Sequence, residues 1–259
     1  MAAPLPSRLR PGEVHLWFAF PDAPQLRDPW LLEAYDELMS AEERARQQRY
    51  LQARHRHQAL VARALVRTTL SRYAPHVAAT AWRFVLGEHG RPEIAGPAPV
   101  PPLRFNLSHT AGLMVVGIAH SAIGVDVEDS RRRVEGGAIA ERFFAPAEVR
   151  QLEAGDASGF FDFWTLKEAY IKARGAGLAL PLRQFAFELA PPRLAVSFTP
   201  QLEDAAGSWR FALLQPTPRH VAALAVRGRG PLRARVGQVV PLRSEAPLPC
   251  RVIAASGEG

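Results

Sequence analysis

One order of apolar patterns runs along this chain twice, and that recurrence points to an architecture with two related halves. An apolar run at 14–20 reads as a strand, and residues 30–39 carry the helical spacing Leu31, Leu32, Tyr35, Leu38. Ser40 followed three residues later by Glu43 has the form of a capping box, and Tyr50, Leu60, Ala64, Leu65 and Leu70 extend a helix to about Tyr73, with room for a break. A strand at 82–86, a turn at 87–92, a proline-rich loop at 96–102, a segment at 105–109 and a buried strand at 113–119 complete the first half. From Ile123 the order begins again, with a strand through Val125 and Val127, helices at 138–144 and after Pro146, and a strong helix over 160–174 that Gly175 and Gly177 end. Alternating strands around Phe185, Leu194 and Trp209 follow, then one at 221–226. The expected fold is α+β: two similar pseudo-symmetric lobes, each a small sheet with helices, with an active site in the cleft between them. The lobes divide as 1–120 and 121–226. Over 227–259 the Gly, Pro and Arg content rises, and this stretch reads as a poorly ordered tail.

Composition narrows the function classes. A chain of 259 residues, 47% hydrophobic, can bury a sizeable core. Its apolar runs fall far short of the roughly 20 residues that span a bilayer, and none has the form of a cleavable leader, so a cytoplasmic protein with no membrane partner is expected. The single cysteine, Cys250, argues against disulfide and thiolate-metal chemistry. The net charge of +7 favours an anionic partner without choosing among nucleic acid, phosphorylated small molecules and acidic proteins. Of the 32 cationic side chains only two are lysines, Lys167 and Lys172, five positions apart. Against that bias they point to sites where a compact ammonium is needed and a planar guanidinium does not serve.

Three segments carry chemistry. In Gly124-Val-Asp-Val-Glu128, strand alternation turns Asp126 and Glu128 to one face and Val125 and Val127 to the other. Two carboxylates on one rigid face can hold magnesium, although a solvated strand face has the same pattern. In Phe163-Trp-Thr-Leu-Lys-Glu-Ala-Tyr-Ile-Lys172, helical spacing makes Glu168 and Lys172 neighbours, an arrangement that by itself is more often an exposed ion pair. A third carboxylate beside the first two would complete an oxygen-donor set for a hard cation sharing its shell with phosphates. Phe105-Asn-Leu-Ser-His109 lacks the glycines of a nucleophile elbow, so Ser108 and His109 suit phosphate contact better than acyl-enzyme chemistry. By itself, Asn106 fits a turn residue and His109 a structural histidine.

The order and spacing of Gly90-Arg-Pro92, Phe105-Asn-Leu-Ser-His109, Gly124-Val-Asp-Val-Glu128 and Trp164-Thr-Leu-Lys-Glu-Ala-Tyr-Ile-Lys172 resemble the Sfp-type phosphopantetheinyl transferase family. The resemblance covers about 14–226 and is strongest over 90–182. It implies an enzyme that moves the 4′-phosphopantetheine arm of coenzyme A to a serine of an apo acyl or peptidyl carrier protein and releases 3′,5′-ADP. It implies coenzyme A between the lobes, its nucleotide toward the first, and Mg²⁺ held by Asp126, Glu128 and Glu168. Ser108 and His109 would meet the 3′-phosphate side with Arg46 and Arg91 adding charge, and Lys172 would bind the pyrophosphate. Glu168, or a metal-bound water that it polarises, would take the serine proton. The catalytic set implied is Glu168, Lys172 and Asp126. The carrier would be acidic and would dock on 139–152 through Phe143, Phe144 and Val149, with the chain acting as a monomer.

Two other classes compete. A coenzyme A binding regulator without catalysis would be expected to have lost a member of the Asp126, Glu128, Glu168 and Lys172 set, and none is missing. A basic nucleic-acid-binding protein is disfavoured by the absence of zinc spacing or an aromatic RNA-binding pattern, and by carboxylates that repel a phosphate backbone.

Overall fold

In chain order the elements of the computed structural model are β1 (Glu13–Ala19), α1 (Pro29–Leu38), α2 (Ala41–Gln48), α3 (Ala53–Tyr73), β2 (Arg83–Leu86), β3 (Pro92–Gly96), β4 (Arg104–Thr110) and β5 (Leu113–Ala119), then β6 (Ile123–Asp129), α4 (Gly136–Phe143), α5 (Pro146–Glu153) and α6 (Phe160–Arg174). They end with β7 (Phe185–Ala190), β8 (Arg193–Phe198), β9 (Trp209–Thr217), β10 (His220–Arg227), β11 (Arg233–Val240), β12 (Ser244–Pro247) and β13 (Arg251–Ala255). The structure describes residues 8–98, 101–155 and 159–257, so positions 99 and 100 of the expected proline-rich loop lie outside it.

β1 is buried along its whole length because it is covered on both faces. Trp17 and Ala19 pack with Met114, Val116 and Ile118 of β5 under α1 and α3. Val14, Leu16 and Phe18 face the other way and meet Val125 and Val127 of β6, with Leu224 of β10. On the far side of that second sheet, Phe211, Leu213, Val221 and Ala223 pack beneath α6. The layers therefore run helices, sheet, sheet, helices, and the period-two alternation of each strand sorts its side chains between two cores. The first sheet has the order β12-β11-β1-β5-β4, the second β6-β10-β9-β13-β8-β7, and β2 pairs only with β3. Up to β10, the strands of the first sheet precede Ala119 and those of the second follow Ile123. Among the described residues no helix is long and apolar enough to cross a membrane.

The break allowed for in the helix read from Ser40 falls over 49–52 and divides it into α2 and α3. Ser40 does form the capping box, its Oγ accepting from Glu43 N at 3.2 Å while Glu43 Oε2 accepts from Ser40 N at 3.0 Å. The residues after 227, expected to be poorly ordered, form three strands that join both sheets. β11 lies parallel to β1, with Glu13 opposite Arg233 and Phe18 opposite Gln238, and β13 stands between β9 and β8. Composition signalled loops there, but backbone pairing with distant strands decided the outcome.

Candidate active site

The site is built where β6 meets α6. Gly159 N donates to Asp162 Oδ2 at 2.9 Å at the start of α6, and Gly175 ends it in the left-handed region at φ 67°. Phe161, Phe163, Leu166, Ala169, Tyr170, Ile171 and Ala173 are all buried, so the helix is held on nearly every side. It can approach β6 only because position 124 is glycine. A Cβ there would stand 1.9 Å from Ala169 O and 2.4 Å from Ala173 N. With Gly124 against the helix backbone, strand alternation turns Asp126 and Glu128 toward α6.

Asp126 is the hub. Its side chain is 7% exposed, and its Oδ1 accepts from Ser108 Oγ at 2.8 Å and from Lys172 Nζ at 2.5 Å. Ser108 Oγ also accepts from Lys172 Nζ at 3.1 Å, closing a triangle across β4, β6 and α6. Lys172 thus pairs with Asp126 rather than with its helical neighbour Glu168. Beside this triangle, Asn106 Oδ1 accepts from Val125 N at 2.8 Å; the residue is buried and fixes β4 to β6 instead of forming a turn.

The other two carboxylates stand close enough to feel Asp126. Burial pushes the Glu128 carboxyl up and the Asp126 charge pushes it further, against Arg132, whose guanidinium lies 3.3 Å away. Burial likewise raises Glu168, with Lys172 opposing and both other carboxylates adding to the rise. His109 is held below its ordinary value by burial, then by Lys172 and His55 nearby. As the side chains stand, among the described residues, no three His, Cys, Asp or Glu groups gather into a metal cage. Yet Asp126 Oδ2 is buried without a hydrogen-bond partner, and mutually repelling carboxylates around an open oxygen fit a hard divalent cation.

Two hollows flank the hub. The larger, about 790 Å³, is lined by Tyr50, Arg54, His55 and His57 around the start of α3, by Arg27, and by His109. The smaller, about 270 Å³, is lined by His89, Arg91, Asn106, Glu168 and Lys172. Arg54, Tyr50, His55 and His57 carried no site signal in the sequence. The break at 49–52, which turns the first turn of α3 toward His109, had to be located before they could be found. Arg46 is exposed on α2 and does not line the larger hollow, whose lining carries Arg54 and His55 instead.

Arg91 is turned toward backbone carbonyls. Its Nη1 donates to Lys172 O at 2.6 Å and Ala173 O at 2.9 Å, and its Nη2 donates to Ile123 O at 3.0 Å and Phe105 O at 3.4 Å. With these donors engaged, Arg91 caps the C-terminus of α6 and clamps it to β4 and β6 rather than offering a free fork to a phosphate. Lys167 lies on the opposite side of α6 from the hub. Its fully buried ammonium donates to Leu182 O at 2.8 Å and Phe185 O at 2.9 Å and pairs with Glu148 at 2.8 Å. Of the expected docking residues, Phe144 is core, while Phe143 and Val149 are half-buried.

Sequence comparison gives matches along most of the chain. The model described as 4′-phosphopantetheinyl transferase, N-terminal, matches residues 27–121, and that of the 4′-phosphopantetheinyl transferase superfamily matches 122–225. The junction falls in the link between β5 and β6. The 4′-phosphopantetheinyl transferase HetI of Nostoc sp. is 31% identical over 223 residues, covering 84% of this chain and 89% of that protein. The 4′-phosphopantetheinyl transferase Sfp of Bacillus subtilis is 32% identical over 162 residues, covering 61% of this chain and 69% of its own length.

Proposed function

Because the chain belongs to the 4′-phosphopantetheinyl transferase superfamily, we propose that coenzyme A and a carrier-protein serine react at the Asp126 hub, with a divalent cation bound there. The protein is an enzyme that transfers the phosphopantetheine arm of coenzyme A to carrier proteins. The observation that supports this location is the buried Asp126 Oδ2, left without a partner beside Ser108 and Lys172.

Asp126, Glu128 and Glu168 would hold Mg²⁺. When bound, the ion supplies charge neutralisation on the pyrophosphate and orients it for displacement. His109, Arg54 and His55 receive the nucleotide phosphate in the larger hollow, at the N-terminal end of α3, whose dipole favours an anion. Lys172 then neutralises charge on the leaving phosphate from a fixed position, since Ser108 and Asp126 hold its ammonium. Glu168 takes the proton of the carrier serine as its oxygen attacks the β-phosphoryl group in line and 3′,5′-ADP departs. Arg91 contributes by fixing the end of α6, hence Lys172. The carrier is acidic, matching a chain of net charge +7, and approaches α4 and α5 through Phe143 and Val149.

Intact mass spectrometry of an apo carrier protein, incubated with the enzyme, coenzyme A and Mg²⁺, tests this reading. The carrier should gain one phosphopantetheine, and EDTA should abolish the gain. Asp126→Asn and Glu168→Gln should each slow it roughly 100-fold or more without lowering the thermal midpoint. Near-normal turnover in either variant would remove the hub from the mechanism.

A further inference from the structure

A cavity of about 1280 Å³ lies at the opposite end of the elements that frame the active site. The larger active-site hollow opens at the start of α3, whereas this cavity opens beside Glu13 at the start of β1 and Tyr73 at the end of α3. The 21 residues of α3, at 1.5 Å each, set the two openings roughly 30 Å apart. The chain also passes between the sheets here, at His120 and Ser121 and again at 228–232.

The lining is divided in character. Leu9, Val14 and Leu103 are buried apolar walls, while Arg8, Arg10, Arg72, Arg210, Arg227 and Arg229 surround them with one carboxylate, Glu13. That is a surplus of five positive charges on one cavity, in a chain whose whole surplus is seven. A coding bias decides that the cation is arginine; it does not decide that cations gather. Glu13 does little to neutralise them, because its buried carboxylate accepts from Arg10 N at 3.1 Å and pairs with Arg235 at 3.6 Å. Arg72 is engaged by Glu245 and lies over the Trp17 ring, and Arg210 donates to the carbonyls of Gly230 and Trp209. Arg8, Arg10, Arg227 and Arg229 are exposed and, among the described residues, form no ion pair with a carboxylate.

Like charges around a concave, partly apolar wall focus a positive potential that an anion relieves. Guanidinium forks match phosphate oxygens, and the apolar walls suit a flat or aliphatic portion of the same ligand. We propose that this cavity is a second ligand site that binds an organic polyphosphate of nucleotide size. Its phosphates lie on Arg8, Arg10, Arg227 and Arg229 and its organic part against Leu9, Val14 and Leu103. The site is separate from the transfer centre.

Calorimetric titration with ATP as the probe tests it in the full chain. An active-site variant, Arg54→Ala with His55→Ala, should keep one ATP site per chain. The triple variant Arg10→Ser, Arg227→Ser, Arg229→Ser should lose affinity at that site at least tenfold while transferring phosphopantetheine at the unmodified rate, which also shows that it is folded. Should the triple variant fail to fold, Arg229→Glu alone, in an exposed loop, should give the same direction of loss. Equal ATP affinity in the unmodified and arginine-depleted proteins, or preference of the unmodified cavity for an acidic peptide or an oligonucleotide over ATP, overturns the proposal.

Discussion

Lys172 is tied to Asp126 at 2.5 Å and to Ser108 at 3.1 Å, and its worth depends on a point-like charge at the meeting of three elements. A guanidinium is planar and wider, and it cannot donate to both oxygens from the ammonium position without moving α6 or β6. Lys172→Arg should therefore lower transfer at least tenfold while the charge is kept, with kcat affected more than KM for the carrier; steady-state kinetics reads the split. Unchanged kcat would mean that only the sign of the charge matters. Much of this hub is legible in the sequence. Alternation alone turns Asp126 and Glu128 to one face, and the scarcity of lysine in an arginine-rich chain marks Lys172. What spacing does not reveal is the partner: Glu168 stands one helical turn away in sequence, but Asp126 is nearer in space. The partners of Arg91 are hidden from spacing for the same reason, since its backbone carbonyl acceptors come from three separate elements.

At the scale of elements, α6 was readable in extent and in its glycine stop, because local patterning sets both. Its buried ion pair was not readable. Glu148 on α5 accepts from Lys167, from Ala145 N at 2.8 Å and from Phe187 N at 2.9 Å, so one carboxylate joins α5, α6 and β7. Burial pushes the Lys167 amine down to about 8, with the Glu148 charge opposing the shift, and burial pushes the Glu148 carboxyl up. Such a pair does little for net stability compared with apolar replacements, yet halving it leaves a buried group without its counter-charge. Glu148→Leu should destabilise the protein by about 3–5 kcal/mol, and adding Lys167→Met should recover a large part of that loss. Urea unfolding of the two variants measures this, and additive losses would show that the pair is not coupled.

Over the whole molecule, the recurrent order of patterns was enough to read two α+β halves, but not the way the chain ties them together. β11 carries Arg233 and Arg235 among small and apolar residues, and its partner β1 lies some 220 positions earlier in the chain. No local signal reports pairing over such a separation, and arginine content argued for a tail. Once formed, the tail has unequal consequences in the two sheets. In the first it lies along one side of β1, an outer position that β11 and β12 share. In the second β13 stands inside, so the β7 and β8 hairpin reaches β9 only through it. Ending the chain after Arg227 should therefore expose β1 to pairing with other chains and cut the second sheet in two. Hydrogen exchange distinguishes this from general unfolding: amides of β7 and β8 should lose protection well before those of β6 and β10, which pair without the tail. Because Lys167 donates to the carbonyls of Leu182 and Phe185 beside that hairpin, loosening it should reach α6, and transfer should fall even though Asp126, Glu168 and Lys172 all remain in the chain. Full transfer by the shortened protein would mean that β6, β10 and α6 hold the hub without the rest of their sheet.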